Sequence, residues 1–255
     1  MIKVLITNDD GIDSMGLLTL ADALKDDYDI YIAAPRSQRS AFSHSVTYFY
    51  QENECEERFI PGVKKAYAID ATPADCAYYG ICGLFEVKMD LVISGINYGR
   101  NMASDVVYSG TVAAAGEAMI LGTPGMAVSL CSYEGGDFHP AAEAVKQLIP
   151  LFMASPNRKH YILNINVPKG EIKGMRVTDL HDHVDYKRPI LKKEKGGKTV
   201  LVLDGDEMVE ATSTKERISD VEAVERGFIA LTPLYYDMCA SMYFDEMSDM
   251  EVTKE

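Results

Sequence analysis

The sequence predicts an α/β fold, a doubly wound and largely parallel sheet with a β-hairpin near its C-terminus. Short apolar segments alternate with helical patterns from residue 1 to 168, as in a parallel sheet covered by helices on both faces. Polar loops containing glycine follow several of these apolar segments. After Pro168 this alternation stops, and extended runs flank a basic turn. We therefore expect one domain over residues 1–255, with its core at about 1–168 plus 219–234.

Each predicted strand is a short run of apolar, β-branched or aromatic residues bounded by turn residues. The first covers 2–7 and ends in the sequence Asn-Asp-Asp-Gly at 8–11. This sequence suits a tight turn, because Asn and Asp bond the local backbone and Gly tolerates left-handed angles. Pro-Gly at 61–62 marks another turn. The remaining strands are predicted at 29–35, 45–50, 66–70, 90–95, 125–130, 161–167 and 227–234.

Helical patterns lie between these strands. Residues 17–24 place leucines and an alanine on one face at helical spacing. Thr72 and Pro73 predict a helix start, because Thr is a good N-cap and Pro suits the first helical position. Further helices are predicted at 112–121, where four alanines permit close packing on a sheet, at 138–153, and from a cap at 219 to 226.

The region beyond the core predicts a protruding hairpin at about 185–215, around the basic, glycine-containing turn at 192–198. A hairpin alone is marginally stable in water, so we expect it to pack on another element, such as a second subunit. The acidic segment 244–255 is expected to be a frayed tail or a subunit contact.

The charge of the chain limits its partners. The formal net charge is −14, which argues against binding a nucleic-acid polymer, since that requires a basic surface. A small phosphorylated ligand is still permitted, because a bound divalent cation can reverse the local field. No run of 18 apolar residues predicts a membrane span, and the N-terminus enters a strand directly, without the pattern of a signal peptide. We expect a cytoplasmic protein with no membrane partner.

The five cysteines are odd in number and form no C-x-x-C pair. This pattern predicts reduced, mostly buried thiols, and it does not favour a zinc site.

The carboxylates Asp9 and Asp10 stand at the carboxyl end of the first predicted strand, where α/β sheets bind their ligands. Two adjacent carboxylates repel each other unless a proton or a cation joins them, and oxygen ligands suit Mg²⁺, Mn²⁺ or Ca²⁺. The alternative is that the pair only caps the next helix.

Two further polar loops follow predicted strands, at 36–40 and 95–99. If these strands are neighbours of the first, the three loops converge on one crevice. Ser40 and Asn97 would then add neutral oxygens to the two carboxylates. Such a set can hold a hard cation and leave room for water and a phosphate.

The sequence Tyr-Ser-Gly-Thr at 108–111 precedes the alanine-rich helix. Gly lets backbone amides approach a ligand, and a helix N-terminus favours an anion, although an ordinary Ser cap explains the pattern equally well. His44 could be a general acid or base, or could hold a loop through hydrogen bonds. His181 and His183 are expected at the surface or at an interface.

Several nucleotide-binding and hydrolase classes are disfavoured by absent motifs. The chain has no G-x-x-x-x-G-K-[ST] loop, no G-x-G-x-x-G after a strand and no G-x-S-x-G elbow. These absences argue against a P-loop NTPase, a nicotinamide enzyme and an α/β-hydrolase with a serine nucleophile.

Five segments together resemble the SurE survival-protein family of metal-dependent nucleoside-monophosphate phosphatases. They are 6–12, 34–45, 72–76, 94–101 and 108–114, with weaker matches at 164–168 and 220–234. Ser43 and Ala71 stand where the family usually has glycine. The resemblance implies a Rossmann-like core with a C-terminal extension that mediates a homodimer or homotetramer.

The resemblance also implies the chemistry. Nucleoside 5′- or 3′-monophosphates would be hydrolysed with one Mg²⁺ or Mn²⁺ per subunit, and short polyphosphate is an additional candidate substrate. The predicted metal ligands are Asp9, Asp10, Ser40 and Asn97, of which all but Ser40 are also assigned to catalysis. The predicted substrate and phosphate contacts are Asn8, His44, Asn101, Ser109, Gly110 and Thr111.

Two other classes stay open at this point. A haloacid dehalogenase-like phosphatase would need two aspartates separated by one residue, whereas these are adjacent. A non-enzymatic receiver-like or nucleotide-binding switch would need a further acceptor Asp and a Lys at later strand ends. Within the phosphatase interpretation, the nucleophile is either a water or one of the two carboxylates.

Overall fold

A computed structural model describes residues 1–181, 190–203, 217–239 and 241. It contains a nine-stranded sheet, a separate two-stranded sheet and six helices in that part of the chain. In chain order the elements are β1 (Lys3–Thr7), α1 (Met15–Leu24), β2 (Asp29–Pro35), β3 (Cys55–Arg58), β4 (Lys65–Ile69), α2 (Pro73–Cys82), β5 (Leu91–Tyr98), α3 (Asp105–Tyr108), α4 (Gly110–Ile120), β6 (Gly125–Cys131), α5 (His139–Ala154), β7 (Ile162–Pro168), β8 (Met175–Val177), β9 (Ile190–Lys195), β10 (Lys198–Leu203), α6 (Asp220–Glu225) and β11 (Ile229–Leu234).

The large sheet has the strand order β3-β4-β2-β1-β5-β6-β7-β11-β8. Six of its strands, which lie side by side in the order β4-β2-β1-β5-β6-β7, are all parallel. The strands that follow β1 in the chain, β2 and β4, lie on one side of it, whereas β6 and β7 follow β5 on the other side. The loops after β1 and β5 therefore run in opposite directions and leave a crevice between them. The predicted doubly wound, Rossmann-like sheet is therefore confirmed, and its switch point lies where Asp9 and Asp10 follow β1.

Both faces of the sheet are buried under helices. Val4 and Ile6 of β1 pack in one cluster with residues of α1 and α5, while Leu5 packs on the opposite face with Cys76 of α2. Because successive residues of β1 face opposite sides, Val4, Leu5 and Ile6 are all apolar. Each fully buried Leu or Ile side chain contributes about 1.5–3 kcal/mol.

The alanine-rich helix α4 lies directly on the sheet, as its composition predicted. A Cβ atom on Gly125 of β6 would stand 2.2 Å from the carbonyl oxygen of Ala115. Small residues at this contact let the helix backbone approach the strand, which places the N-terminus of α4 close to the end of β1.

The helix caps follow the sequence signals. The Thr72 hydroxyl accepts a hydrogen bond from the Asp75 N–H, and the Asp75 carboxylate accepts one from the Thr72 N–H, both at 3.1 Å. Ser219 and Glu222 form the same reciprocal capping box at α6. Both predicted helix starts are confirmed.

Two predictions about strands were wrong. Residues 45–50 are irregular, with a turn at 48–50 instead of a strand, because the backbone N–H of Thr47 donates to the Asp75 carboxylate rather than to a neighbouring strand. In contrast, the polar stretch 51–65 contains β3, which was not predicted. This strand pairs on one side only, antiparallel to β4, and its exposed position explains its charged residues.

The hairpin prediction is confirmed for β9 and β10, which pair antiparallel around Gly196 and Gly197. Both glycines have positive φ, at 58° and 75°, as a two-residue hairpin turn requires. The rest of the predicted 185–215 hairpin, His183 and the acidic segment 244–255 lie outside the described residues.

The cysteine prediction was partly wrong. Cys76 is buried, but Cys55, Cys82 and Cys239 are exposed, because the first lies on the edge strand β3 and the second ends α2. Within the described residues, no helix combines the length and the apolar character that a membrane crossing requires.

Candidate active site

The carboxyl ends of β1 and β5 open into a cleft of about 320 Å³. Five of the residues predicted from the sequence line it: Asp9, Ser40, Asn97, Asn101 and Ser109. The three loops that were expected to converge therefore do so at the switch point of the sheet.

The acidic turn is shaped by Asn8, which is fully buried. Its side-chain amide donates to the Gly11 carbonyl at 2.9 Å and to the Ser14 hydroxyl at 2.7 Å, and its oxygen accepts from the Gly11 N–H at 3.2 Å. Asn8 lies outside the set of residues that line the cleft, and its side chain bonds the turn that presents Asp9 and Asp10.

Asp9 is almost completely buried, with 4% of its surface exposed. Its carboxylate accepts a hydrogen bond of 2.8 Å from the Thr111 hydroxyl. Burial raises the pKa of Asp9 to about 6; the neighbouring charge of Asp10 adds to the rise, and the Thr111 hydrogen bond opposes it. A cation bound next to this buried carboxylate would strongly stabilise its ionised form.

Gly110 allows the N-terminus of α4 to approach this carboxylate. A Cβ atom at Gly110 would lie 3.0 Å from the Asp9 Cβ atom and 3.0 Å from Pro73 Cγ. The positive end of the α4 dipole thus faces Asp9 and the cleft. The Ser109 hydroxyl caps α4 by accepting a hydrogen bond from the Val112 N–H at 3.1 Å, as expected for an ordinary serine N-cap. Ser109 also lines the cleft.

Asp10 connects the loop after β1 to the end of β5, where Asn97 also lies. The Asp10 carboxylate accepts a hydrogen bond of 3.0 Å from the Tyr98 N–H, and burial raises its pKa. The Asn97 side-chain amide donates to the Gly99 carbonyl at 2.9 Å. Because its nitrogen is used in this way, the side-chain oxygen of Asn97 is the atom it can offer to a cation.

The Ser40 loop is fastened to the rest of the site at several points. The Arg39 N–H donates to the Asp9 carbonyl at 2.7 Å, and the Arg39 guanidinium pairs with Asp70. Ser43 has a φ of 54° and bonds the segment before α4 twice, through its N–H to the Tyr108 carbonyl and through its hydroxyl to the Val107 carbonyl. A left-handed φ explains why glycine suits this position.

His44 lies outside the cleft-lining set. Its Nε2 atom is 2.8 Å from the Glu117 carboxylate on α4, and its ring is tilted against Tyr236. Of the two roles considered for His44, this contact matches the one in which it holds the loop through hydrogen bonds.

Asn101 is held by residues whose contribution the sequence did not reveal. Its N–H donates to the Asn166 side chain at 2.9 Å, and its carbonyl accepts from the side chains of both Asn164 and Asn166. Its own amide donates to Ser129 at 2.8 Å. The two asparagines are fully buried at alternate positions of β7. Polar residues in an otherwise apolar strand were the signal that could have identified them.

Asp220 reaches the same loop from α6. Its carboxylate accepts from the N–H groups of Ala103 and His181, each at 3.0 Å, and it is fully buried. His181 is 3% exposed and its Nδ1 atom lies 2.9 Å from the Ser219 hydroxyl, so the prediction of a surface position was wrong. The segment is drawn inwards by the hydrogen bonds to Asp220.

The donor set of the cleft suits a hard cation. Asp9, Ser40 and Asn97 line the cleft with a carboxylate, a hydroxyl and a side-chain amide, all of which offer oxygen ligands. Asp10 is not among the described lining residues, but it follows Asp9 directly and its carboxylate bonds the N–H of Tyr98 at the cleft wall. The described residues contain no cluster of three or more His, Cys, Asp or Glu side chains. Asp9, Asp10, Ser40 and Asn97 are therefore the residues that could hold a divalent metal.

Comparisons with known proteins agree with this architecture. The family model for survival protein SurE matches residues 4–186. The 5′-nucleotidase SurE of Pseudoalteromonas atlantica is 36% identical over 250 residues, which cover 96% of this chain and 97% of the relative. The protein of the same name from Pelotomaculum thermopropionicum is 37% identical, with 92% and 90% covered.

A solved structure resembles the fold over its whole length. The SurE protein from Aquifex aeolicus has a TM-score of 0.79 and 32% sequence identity, and the match covers 98% of this chain and 100% of the other. On the match to the family model and on these full-length relatives, the chain belongs to the survival protein SurE family.

Proposed function

We propose that the chain hydrolyses the phosphomonoester bond of nucleoside monophosphates in this cleft. The observation that carries the proposal is the buried Asp9 carboxylate beside Asp10, at the sheet switch point and facing the N-terminus of α4. The curated relatives are named 5′-nucleotidases, which supports the 5′-monophosphate as substrate. Activity on 3′-monophosphates and on short polyphosphate is part of the same proposal.

The proposal includes one Mg²⁺ or Mn²⁺ per subunit, held by Asp9, Asp10, Ser40 and Asn97. When bound, such a cation supplies Lewis-acid polarisation of the phosphoryl group. The fit rests on the oxygen donors and on the raised pKa of Asp9, since a neighbouring cation offsets the cost of ionising a buried carboxylate.

The chain's own residues bind and orient the phosphate. The first N–H groups of α4, together with Ser109 and Asn101 at the cleft wall, stabilise negative charge on the phosphoryl oxygens. Thr111 holds the Asp9 carboxylate in one orientation through its hydrogen bond. The attacking group is a water or one of the two carboxylates, and trapping a phosphoaspartate would establish the covalent route.

Phosphate release from a panel of nucleoside 5′- and 3′-monophosphates, with EDTA, Mg²⁺ or Mn²⁺, tests the proposal. We expect metal-dependent turnover in the wild type and a loss of about 100-fold or more in Asp10→Asn. Asp13→Asn is the matched control, because Asp13 is an exposed carboxylate three residues further on. Near-wild-type turnover in Asp10→Asn would refute the assignment of the site.

The receiver-like switch is disfavoured by the same geometry. That class needs a lysine beside its acidic pair, and among the residues that the structure describes, none of those lining the cleft is a lysine. The names of the relatives also indicate an enzyme.

We further propose that the hairpin joins subunits into a homodimer or homotetramer. Ile190 and Leu201 are more than 60% exposed, and the neighbouring Leu191 and Val202 are also exposed. Burial against a second copy would remove this apolar surface from water. Light scattering of the wild type and of Leu201→Lys measures the effect, and an unchanged mass in the variant, or a monomeric wild type, would contradict the proposal.

A further inference from the structure

The cleft has two chemically different parts. One holds the oxygen donors Asp9, Ser40 and Asn97. The other is a rim of three tyrosines, Tyr98, Tyr108 and Tyr133, whose surfaces are 37%, 60% and 65% exposed. Single exposed aromatic residues are common, but three around one polar cleft form a surface to which a flat aromatic ligand can bind.

Tyr133 is positioned by a glycine. A Cβ atom on Gly99 would lie 2.9 Å from the Cε1 atom of Tyr133, so the edge of the tyrosine ring occupies the space that a side chain at residue 99 would need. Gly99 also has a φ of 120°, which disfavours other residues. The backbone of the β5 loop is thus shaped to receive this ring.

The same glycine connects Tyr133 to the oxygen donors. Its carbonyl accepts the hydrogen bond from the Asn97 side chain, and its N–H donates to the Leu130 carbonyl on β6 at 3.0 Å. In the segment that carries Tyr133, the buried Ser132 hydroxyl donates to the Gly135 carbonyl and so fixes the turn at 132–135.

The spacing suits a nucleotide. Only Tyr98 separates Asn97 from Gly99 in the chain, so the Cα atoms of Asn97 and Gly99 are at most about 7 Å apart. A phosphate beside Asn97 would therefore place a base, one ribose away, in the region of the Tyr133 ring.

The other two tyrosines are less suitable. Tyr98 is only 37% exposed, compared with 65% for Tyr133, and its ring packs against Phe138 with 6.1 Å between centroids. Tyr108 lies on the side of the Ser40 loop, where its carbonyl accepts from the Ser43 N–H.

We propose that Tyr133 is the stacking platform for the nucleobase of the substrate. This inference rests on the proposed function and adds a specificity-determining residue to it. Stacking uses the face of a base rather than its hydrogen-bonding edge. The platform therefore selects nucleotides over base-free sugar phosphates and discriminates weakly among the four bases.

The test compares adenosine 5′-monophosphate with ribose 5-phosphate, which has the same sugar and phosphate without the base. In Tyr133→Ala, the ratio of kcat/KM for the nucleotide to kcat/KM for ribose 5-phosphate should fall about tenfold, mainly through the KM for the nucleotide. Tyr133→Phe keeps the ring and should retain the ratio within about twofold. Tyr235→Ala is the matched control, because Tyr235 is 68% exposed and lies outside the cleft lining.

An unchanged ratio in Tyr133→Ala would overturn the proposal, and so would an equal loss with both substrates, which would indicate only a disturbed loop. If the wild type released phosphate from neither ester, the proposed function would fail separately. Equilibrium dialysis of the two esters against the wild type and Tyr133→Ala would then decide the platform: a selective loss of nucleotide binding supports it, and equal binding refutes it.

Discussion

Two parts of the cleft are held in opposite ways. The acidic turn at 8–11 is stabilised by Asn8, whose partners lie three and six residues away. The Asn101 loop is stabilised by Ser129, Asn166 and Asp220, and the last of these is 117 residues from its partner Ala103. The turn therefore depends mainly on its own sequence, whereas the loop depends on three distant elements that must all be in place.

The turn can be broken by one local change. Asn8→Ala removes three hydrogen bonds and leaves the buried Gly11 N–H unpaired, while the Gly11 carbonyl keeps its bond from the Ser14 N–H, so we expect a stability loss of about 2–3 kcal/mol. Displacing both carboxylates should also lower kcat/KM about 100-fold. Urea denaturation and phosphate release measure the two effects. Ser14→Ala removes only one of the bonds and should have the smaller effect on both; an equal effect would mean that Asn8 does not organise the turn.

Two asparagines of β7, Asn164 and Asn166, support the Asn101 loop, and their contributions can be measured separately. Asn166→Ala removes the acceptor for the Asn101 N–H and one donor to its carbonyl, so kcat/KM should fall about tenfold. Asn164→Ala leaves that carbonyl bonded to Asn166, and its effect should be clearly weaker. The comparison fails if the two variants behave alike in steady-state kinetics.

Asp220 tests whether α6 supports the loop. Asp220→Asn places an amide N–H₂ group against a backbone N–H, which should cost about 1–3 kcal/mol of stability. The control is Glu222→Gln, which weakens the cap of the same helix but does not touch the loop. Thermal unfolding and kcat/KM should both fall in the first variant, while the control should lose stability alone.

The same residue predicts a pH dependence. Burial raises the pKa of Asp220 above its usual value of 3.8 in the folded state, so the folded chain binds a proton more tightly than the unfolded chain. The stability contributed by this group therefore rises as pH falls from the raised value towards 3.8. Denaturation at several pH values should show the advantage of the wild type over Asp220→Asn growing in that direction, and a constant difference would contradict the assignment.

The smallest expected effect concerns Ser43 in the Ser40 loop. Ser43→Gly relieves the left-handed φ but loses the hydrogen bond to Val107, and these changes of about 1 kcal/mol each should nearly cancel. Ser43→Ala keeps the strain and loses the bond, so it should be about 1 kcal/mol less stable than the wild type. Equal stability of Ser43→Ala and the wild type would show that the bond to Val107 is unimportant.

This contrast also explains what the sequence could predict. The acidic turn, the Thr72 and Ser219 caps and the Gly196 hairpin turn depend on partners within a few residues, and pattern reasoning identified each of them. The convergence of Ser40 and Asn97 with the acidic turn followed from the general rule for strand ends.

Features set by distant partners were missed. The strand predicted at 45–50 is replaced by irregular backbone and a turn because Thr47 bonds Asp75, and His181 is buried because Asp220 holds its backbone. Asn164 and Asn166 are recognisable as polar residues in an apolar strand, but their partner Asn101 could not be predicted, since this requires knowing that β7 lies two strands from β5. Local propensity contains no information about such pairs.

The position of Asp220 in the chain has a consequence for synthesis. A ribosome releases the acidic turn, the Ser40 loop and the residues of α4 first, and the helix that completes the Asn101 loop emerges about 100 residues later. Strand β8 likewise joins the large sheet only through β11, which follows α6. The nascent chain therefore contains Asp9 and Asp10 long before it can form the complete cleft. The cleft can form only after α6 and β11 have been synthesised.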